Sequence, residues 1–271
     1  MASDYRRHVQ TAYRFLDRNN TGIELDVDGF LTYGDMEAVT GTRPRLDHQK
    51  LLQPGAAEAV QRLSNMFPTA FITGQTPEML LPEVLPGEKL TYRFGYGVWR
   101  PDDTPKLNKI AQRVHKIWSY GQNRLFGTNI PALRMAGVGF APLPTGATLF
   151  CDFRSPLLKE RARVQILQTA RYLRRFGIAH RDLDVAVEFF GRDTAPSKAN
   201  AAVEWAQEEG LEAVFAGGDT ASDAEIAAAL RNIGVEVLFA AVGGRIGGDI
   251  AVANSEEMTF VLQGVADAFH L

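Results

Sequence analysis

The chain has 271 residues and a net charge of −3, and because no long run of one sign of charge occurs, we expect neither nucleic acid nor an anionic membrane as a partner. No stretch approaches the ~18 consecutive apolar residues of a membrane span, and Met1–His8 lacks the apolar segment of a signal peptide. Cys151 is the single cysteine, which excludes an internal disulfide and predicts a cytoplasmic protein.

A helix and a strand are predicted first in the chain. Apolar residues recur at helical spacing from Tyr5 to Leu16, and polar residues then break the pattern. The apolar run that follows ends in Asp26, Val27, Asp28 and Gly29. Alternate side chains of a strand share one side, so we expect both carboxylates to meet where this strand ends. The pair therefore indicates a site.

A second helix and a second strand complete a strand–helix–strand unit. Residues after Gly55 have helical spacing, and the apolar run Ala70–Ile72 then ends in Thr73 and Gly74. Such alternation predicts a parallel sheet with helices on its faces.

The middle of the chain, from about Leu85 to Arg192, differs in its sequence pattern from the segments on either side. It contains several Gly/Pro breaks, strand candidates at Thr148–Phe153 and Leu183–Phe189, and a long basic helix near Lys159–Phe176. We interpret it as an inserted α+β domain.

The C-terminal part returns to the alternation of helices and strands. The predicted elements are, in order, a helix over Ala199–Glu209, a strand over Leu211–Ala216, a helix over Ala224–Ile233, a strand over Val235–Val242 and a last helix N-capped by Ser255. Lys198 stands before the first of these helices, and Asp219 follows the first of these strands. Asp223 is a suitable N-cap for the second helix. Gly243–Gly248 is interpreted as a surface loop rather than a nucleotide-binding loop.

Four signals in a fixed order carry a family resemblance: the Asp26/Asp28 pair, Thr73, Lys198 and the Asp219/Asp223 pair. They resemble the ordered motifs of the haloacid-dehalogenase superfamily, whose commonest members are Mg2+-dependent phosphatases that work through an aspartyl-phosphate. The resemblance implies an α/β fold with a Rossmann-like parallel-sheet core.

The position of the insertion narrows the resemblance. A cap placed after the Thr motif and before the Lys motif marks the class with a C2-type cap, which implies core residues 1–84 and 193–271 around a cap of residues 85–192. Within that class, Ser197–Val203 and the segment around Gly218 and Asp219 resemble the trehalose-6-phosphate phosphatase branch and its sugar-phosphatase relatives.

The resemblance also implies a role for each residue. Asp26 would be the nucleophile, and Asp28 would first protonate the leaving oxygen and then activate water. Thr73, Gly74 and Lys198 would bind the phosphate group. The implied ligands of Mg2+ are Asp26, the backbone carbonyl of Asp28 and Asp219, with Asp223 either among them or directly behind them. The implied substrate is a small phosphorylated metabolite, with a sugar phosphate favoured.

Three departures from the family pattern are visible. Phe30 replaces the usual Thr or Val, Ala199 replaces a common Gly, and Thr220 replaces a second carboxylate. We expect Phe30 to narrow the floor of the site, and Thr220 to lower the local negative charge.

Each assignment has a plainer alternative. Asp26 and Asp28 are also suitable turn and cap residues at the end of a strand. Thr73 is also a suitable helix N-cap, and Lys198 a solvated side chain in a first turn. The plainer interpretation of the basic cap residues is a solvated face, and none of them is singled out as a specificity residue: Arg154, Lys159, Arg161, Arg163 and Arg171. The functional alternatives are a sugar phosphomutase of the same superfamily and a non-catalytic ligand-binding protein with this fold. The sequence leaves the exact substrate and the oligomeric state open.

Overall fold

The computed structural model describes residues 2–27, 29–31, 53–73, 90–94, 97–99, 106–107, 138–143, 146–151, 156–176, 178–183, 186–191 and 197–270. The helices are α1 (Ala2–Leu16), α2 (Ala56–Met66), α3 (Pro156–Leu173), α4 (Lys198–Glu208), α5 (Ala221–Asn232) and α6 (Ser255–Ala268), and a 3-10 turn (Arg174–Phe176) follows α3. The strands are β1 (Thr21–Leu25), β2 (Thr69–Ile72), β3 (Leu90–Phe94), β4 (Gly97–Trp99), β5 (Lys106–Leu107), β6 (Val138–Leu143), β7 (Gly146–Cys151), β8 (Ile178–Leu183), β9 (Ala186–Gly191), β10 (Ala213–Gly218), β11 (Glu236–Val242) and β12 (Ile250–Val252).

These elements form two compact units. The first unit contains the elements from α1 to β4 and from α4 to α6, and the second contains β6 to β9 and α3. None of the described helices is both long enough and apolar enough to cross a membrane.

The first unit is built on one sheet with the strand order β12-β11-β10-β1-β2-β3-β4. Neighbouring strands from β12 to β3 pair in parallel, and β4 pairs antiparallel with β3. Strands β1, β2 and β10 are buried along their whole length, as expected for parallel strands that helices cover on both faces. The predicted α/β core with a parallel sheet is confirmed.

Two apolar layers cover this sheet. Ile23 and Leu25 of β1 pack with α1, α2 and α6 on one face. Ala70 of β2 and Ala216 of β10 pack with α4 and α5 on the other face, where the fully buried Trp205 anchors α4. Burying an aromatic side chain of this size removes a large apolar area from water. Helices α4 and α5 therefore lie on the same face of the sheet.

Two predicted helix caps are wrong by a few residues. The N-cap of α5 is Thr220, and Asp223 lies within the first turn, where its side chain accepts a hydrogen bond from the Thr220 backbone N–H at 3.0 Å. The N-cap of α6 is Asn254, whose Oδ1 accepts from the Glu257 backbone N–H at 2.9 Å. In both cases a side-chain acceptor further upstream has the extended backbone that an N-cap requires, so it takes the position.

The second unit is an antiparallel sheet in the order β6-β7-β9-β8, with α3 packed against β7 and β8. Ile166 and Ala170 of α3 and Ile178 of β8 are buried. The prediction of a single strand over Leu183–Phe189 is wrong, because β8 ends at Leu183 and pairs antiparallel with β9.

Strands β3 and β4 bear on the predicted limits of the cap. They lie within residues 85–192, yet β3 hydrogen-bonds in parallel with β2 of the core sheet. For the other residues of the range 85–192, the assignment to a cap stays a prediction.

Candidate active site

Three polar residues of the first unit follow the ends of neighbouring strands. Asp26 comes directly after β1, Thr73 directly after β2, and Asp219 directly after β10. Since β10, β1 and β2 are adjacent and parallel, these residues leave the sheet at its carboxyl edge. Ligands of open parallel sheets bind at this edge, where the strand order changes direction.

Lys198 links two of the predicted site residues. Its Nζ donates to Asp26 Oδ1 at 2.8 Å and to Asp223 Oδ1 at 2.7 Å. Only 19% of the lysine side chain is exposed, which excludes the alternative of a solvated residue. Burial lowers the pKa of Lys198, but the carboxylates of Asp26 and Asp223 outweigh it and raise the pKa, so the ammonium keeps its proton. The site therefore holds a fixed positive charge beside Asp26.

Asp223 is surrounded by donors from its own chain. Its Oδ2 accepts from the backbone N–H groups of Asp219 at 3.2 Å and Thr220 at 3.0 Å, and from the Thr220 hydroxyl at 2.6 Å. Its Oδ1 accepts from Lys198, and the side chain is fully buried. Thr220, which replaces a carboxylate of the family pattern, supplies two of these donors. Asp223 thus fixes both the Asp219 backbone and the lysine.

The acidic residues at this edge fit a hard divalent cation. One carboxylate oxygen from each of Asp26, Asp219 and Asp223 lies within 4.8 Å of the others. Three carboxylates facing one ammonium leave an excess of negative charge, and carboxylate oxygens are the ligands that Mg2+ prefers. Asp26 and Asp219 directly follow strands β1 and β10, whereas Asp223 lies in α5 and accepts hydrogen bonds on both of its oxygens.

Two glycines allow the loops at β1 and β10 to approach closely. Gly29 has φ +72°, and a Cβ at this position would lie 2.3 Å from Asp219 Oδ2. A Cβ on Gly217 would lie 2.2 Å from Phe30 Cζ. At either position a Cβ fits only if the neighbouring side chain shifts, and the positive φ of Gly29 favours glycine there as well.

The Phe30 ring does not occupy the position that we expected for it. Instead of narrowing the floor of the site, the ring is fully buried in the apolar core and packs against Gly217. Burial of this apolar ring against the core is favourable, which explains its inward placement.

Glu24 is a buried acid of this region that the sequence analysis did not assign. It is fully buried, and neither carboxylate oxygen has a hydrogen-bond partner in the described part of the chain. Burial raises its pKa well above the ordinary value, and Asp223 and Asp26 add to this, while Lys198 and the Gly217 backbone amide act in the opposite direction. A signal was available: Glu24 is the only charged residue of β1 and stands two positions before Asp26.

Other predicted residues are only partly covered by the structure. Asp28 and Gly74 lie outside the described residues, as does Arg154. Thr73 is buried, and its backbone N–H donates to the Arg93 carbonyl at 3.0 Å. Their predicted roles stay predictions.

The glycine-rich segment after β11 is a surface turn, as predicted. Gly243 and Gly244 have φ values of +81° and +69°, and both are exposed. Positive φ at two successive glycines is typical of a turn.

Comparison with known proteins identifies the fold. No protein-family model matches the sequence, and no curated protein matches it at a significant level.

Among solved structures, a trehalose-6-phosphate phosphatase related protein is 19% identical, with a TM-score of 0.70 over 92% of this chain and 98% of that chain. The C-terminal domain of a C. albicans trehalose-6-phosphate phosphatase is 14% identical, with a TM-score of 0.63 over 97% of each chain. An Aspergillus fumigatus trehalose-6-phosphate phosphatase is 15% identical, with a TM-score of 0.56 over 97% of each chain. The chain has the fold of these phosphatases, which confirms the predicted resemblance at the level of the fold.

Proposed function

We propose that the chain is a Mg2+-dependent phosphatase that hydrolyses a small phosphorylated sugar or a related metabolite. The observation that carries this proposal is the bridge from Lys198 Nζ to Asp26 at 2.8 Å and to Asp223 at 2.7 Å. With the Asp219 carboxylate nearby, the site pairs a carboxylate nucleophile with a fixed cation and a set of metal ligands. Phosphoryl transfer depends mainly on such positioned charges.

In the proposed first step, an oxygen of the Asp26 carboxylate attacks phosphorus. The bond between phosphorus and the ester oxygen breaks, and the leaving oxygen takes a proton from Asp28. The phosphoryl group is then bound to Asp26 as an aspartyl-phosphate.

In the second step, water attacks the same phosphorus and gives a proton back to Asp28. Inorganic phosphate leaves, and the Asp26 carboxylate is regenerated. Lys198 keeps its proton throughout and donates to phosphoryl oxygens, since its pKa is raised by the two carboxylates. Mg2+ held by Asp26 and Asp219 would offset negative charge that the phosphoryl group brings to the site.

The substrate class is proposed from two sources. The structural neighbours are named as trehalose-6-phosphate phosphatases, whose names specify a phosphorylated sugar. Thr73 follows β2 at the same edge as Asp26, and it would bind the phosphate group there together with Gly74, the next residue in sequence. We assign choice of the leaving group to the predicted cap, because in the proposed mechanism the core residues act on the phosphoryl group that all substrates share.

The test is release of inorganic phosphate from a panel of phosphorylated sugars and one aryl phosphate, in Mg2+ and in excess chelator. We expect release in Mg2+ only, and a loss of at least ~10^3 in turnover for Asp26→Asn, because the nucleophile is removed while its shape is kept. The matched control is Asp17→Asn, an exposed aspartate at the end of α1, which should keep wild-type activity.

Three outcomes would contradict the proposal. Turnover that survives in Asp26→Asn would exclude the covalent mechanism. Conversion of one hexose phosphate into another without net phosphate release would instead identify a phosphomutase. Failure to act on any substrate, with the cation bound normally, would favour a ligand-binding protein.

A further inference from the structure

The loop after β1 and the loop after β10 contact each other in a reciprocal way. Gly217, at the end of β10, lies under the ring of Phe30, so that a Cβ there would be 2.2 Å from Cζ and 2.5 Å from Cε2. Gly29 lies against the carboxylate of Asp219, and a Cβ there would be 2.3 Å from Oδ2. The loop after β1 and the end of β10 with Asp219 thus each present a glycine to a larger side chain of the other segment.

The ring has little freedom to move away from this contact. Phe30, Val27 and Leu31 are all buried in the same apolar core. The Leu31 backbone N–H donates to the Val27 carbonyl at 3.1 Å, which closes the loop on itself. Closely packed protein interiors transmit a displacement of one side chain to its neighbours. A change at Gly217 must therefore shift the loop that carries Asp26.

The same contact lies next to both proposed metal ligands. The Asp26 backbone N–H donates to the Gly217 carbonyl at 2.9 Å, and Asp219 follows Gly217 by two residues.

We propose that Phe30 is a positioning residue, which fixes the separation of the Asp26 and Asp219 carboxylates by filling the space over Gly217. As far as it concerns turnover, this inference rests on the proposed phosphatase function. As far as it concerns cation binding, it depends only on the carboxylate cluster.

The experiment separates positioning from ordinary core packing. Gly217→Ala introduces the clash with Phe30, and Phe30→Val in the same chain removes the ring from the added methyl group. The matched control is Gly22→Ala in β1, where a Cβ would lie 2.5 Å from Leu211 Cδ1 and 2.9 Å from Trp205 Cη2. Gly22 is at the start of the strand, at the edge opposite Asp26.

The main readout is the dissociation constant of Mg2+ measured by calorimetry, with Mn2+ as a second probe and urea unfolding in parallel. We expect Gly217→Ala to weaken cation binding by at least ~10-fold, as supporting residues of metal sites commonly do. The double variant should bind more tightly than either single variant. Gly22→Ala should lose stability and bind the cation as the wild type does.

Three results would overturn the inference: unchanged cation affinity in Gly217→Ala, a double variant no better than Gly217→Ala, or no cation binding by the wild type. Should Gly217→Ala fail to fold, Phe30→Leu serves instead, and an unchanged affinity in this folded variant would equally overturn it. If the wild type binds the cation in the expected pattern but releases no phosphate from any substrate, the positioning role stands and the proposed function fails.

Discussion

Replacing Asp223 with asparagine should destabilise the protein more than the same replacement of an exposed aspartate does. The reason is that each of the two carboxylate oxygens accepts hydrogen bonds from its own set of donors. Lys198 donates to Oδ1, whereas two backbone N–H groups and the Thr220 hydroxyl donate to Oδ2. An asparagine has one acceptor oxygen, so in either orientation its NH2 group faces a donor. Removing one partner of a buried charge pair costs ~3–5 kcal/mol, and Asp223 is fully buried.

The assay is urea unfolding at neutral pH without divalent cations. The matched control is Asp249→Asn, whose carboxylate accepts from Arg231 at 3.0 Å and from the Phe239 backbone N–H at 2.9 Å but is 46% exposed. There we expect a loss of about 1 kcal/mol. If Asp223→Asn lost no more free energy of unfolding than the control, the reasoning from its buried donors would be refuted.

Three further predictions concern the cation, the buried acid and the division of labour between core and cap. Asp219→Ala should raise the Mg2+ concentration for half-maximal activity sharply, since a direct ligand is removed; an unchanged requirement in a Mg2+ titration would contradict it. Burial raises the pKa of Glu24 in the folded protein, so its contribution to stability is full below the unfolded pKa and lost as pH rises through the folded pKa. Glu24→Leu in cation-free protein should therefore gain more thermal stability over the wild type at about pH 8 than at about pH 5, and an equal gain at both would argue against a raised pKa. Lys198→Ala should lower kcat/KM for every substrate by a similar factor, because the phosphoryl group is common to all substrates. Replacement of Arg154, in the predicted cap, should instead change the ranking of kcat/KM among sugar phosphates more than it changes hydrolysis of an aryl phosphate.

The residues that the sequence placed at strand ends and helix starts do come together in the structure. Asp26, Lys198, Asp219 and Asp223 could be predicted because parallel strands bring their carboxyl ends to one edge, whatever the details of packing. Order along the chain was enough to locate them.

Other features depend on contacts that sequence spacing does not reveal. The inward position of Phe30 follows from Gly217, which is distant in sequence but adjacent in the sheet. The N-cap of α6 is Asn254 and not the predicted Ser255, although both side chains offer a suitable acceptor. The extended backbone of Asn254 decides between them. The Glu24 side chain has space within the sheet because its partners in register on the two adjacent strands are Ala70 and Ala216. Both are distant in sequence, so spacing along the chain does not reveal them.

The most direct test of the central claim is to trap the phosphorylated protein during turnover. Wild-type protein is quenched in acid while it hydrolyses a phosphorylated sugar in Mg2+, digested, and examined by mass spectrometry. We expect one added phosphoryl group on Asp26, absent from Asp26→Asn and from wild type in excess chelator. Turnover with no phosphoryl group on Asp26, or with the group on another residue, would contradict the mechanism.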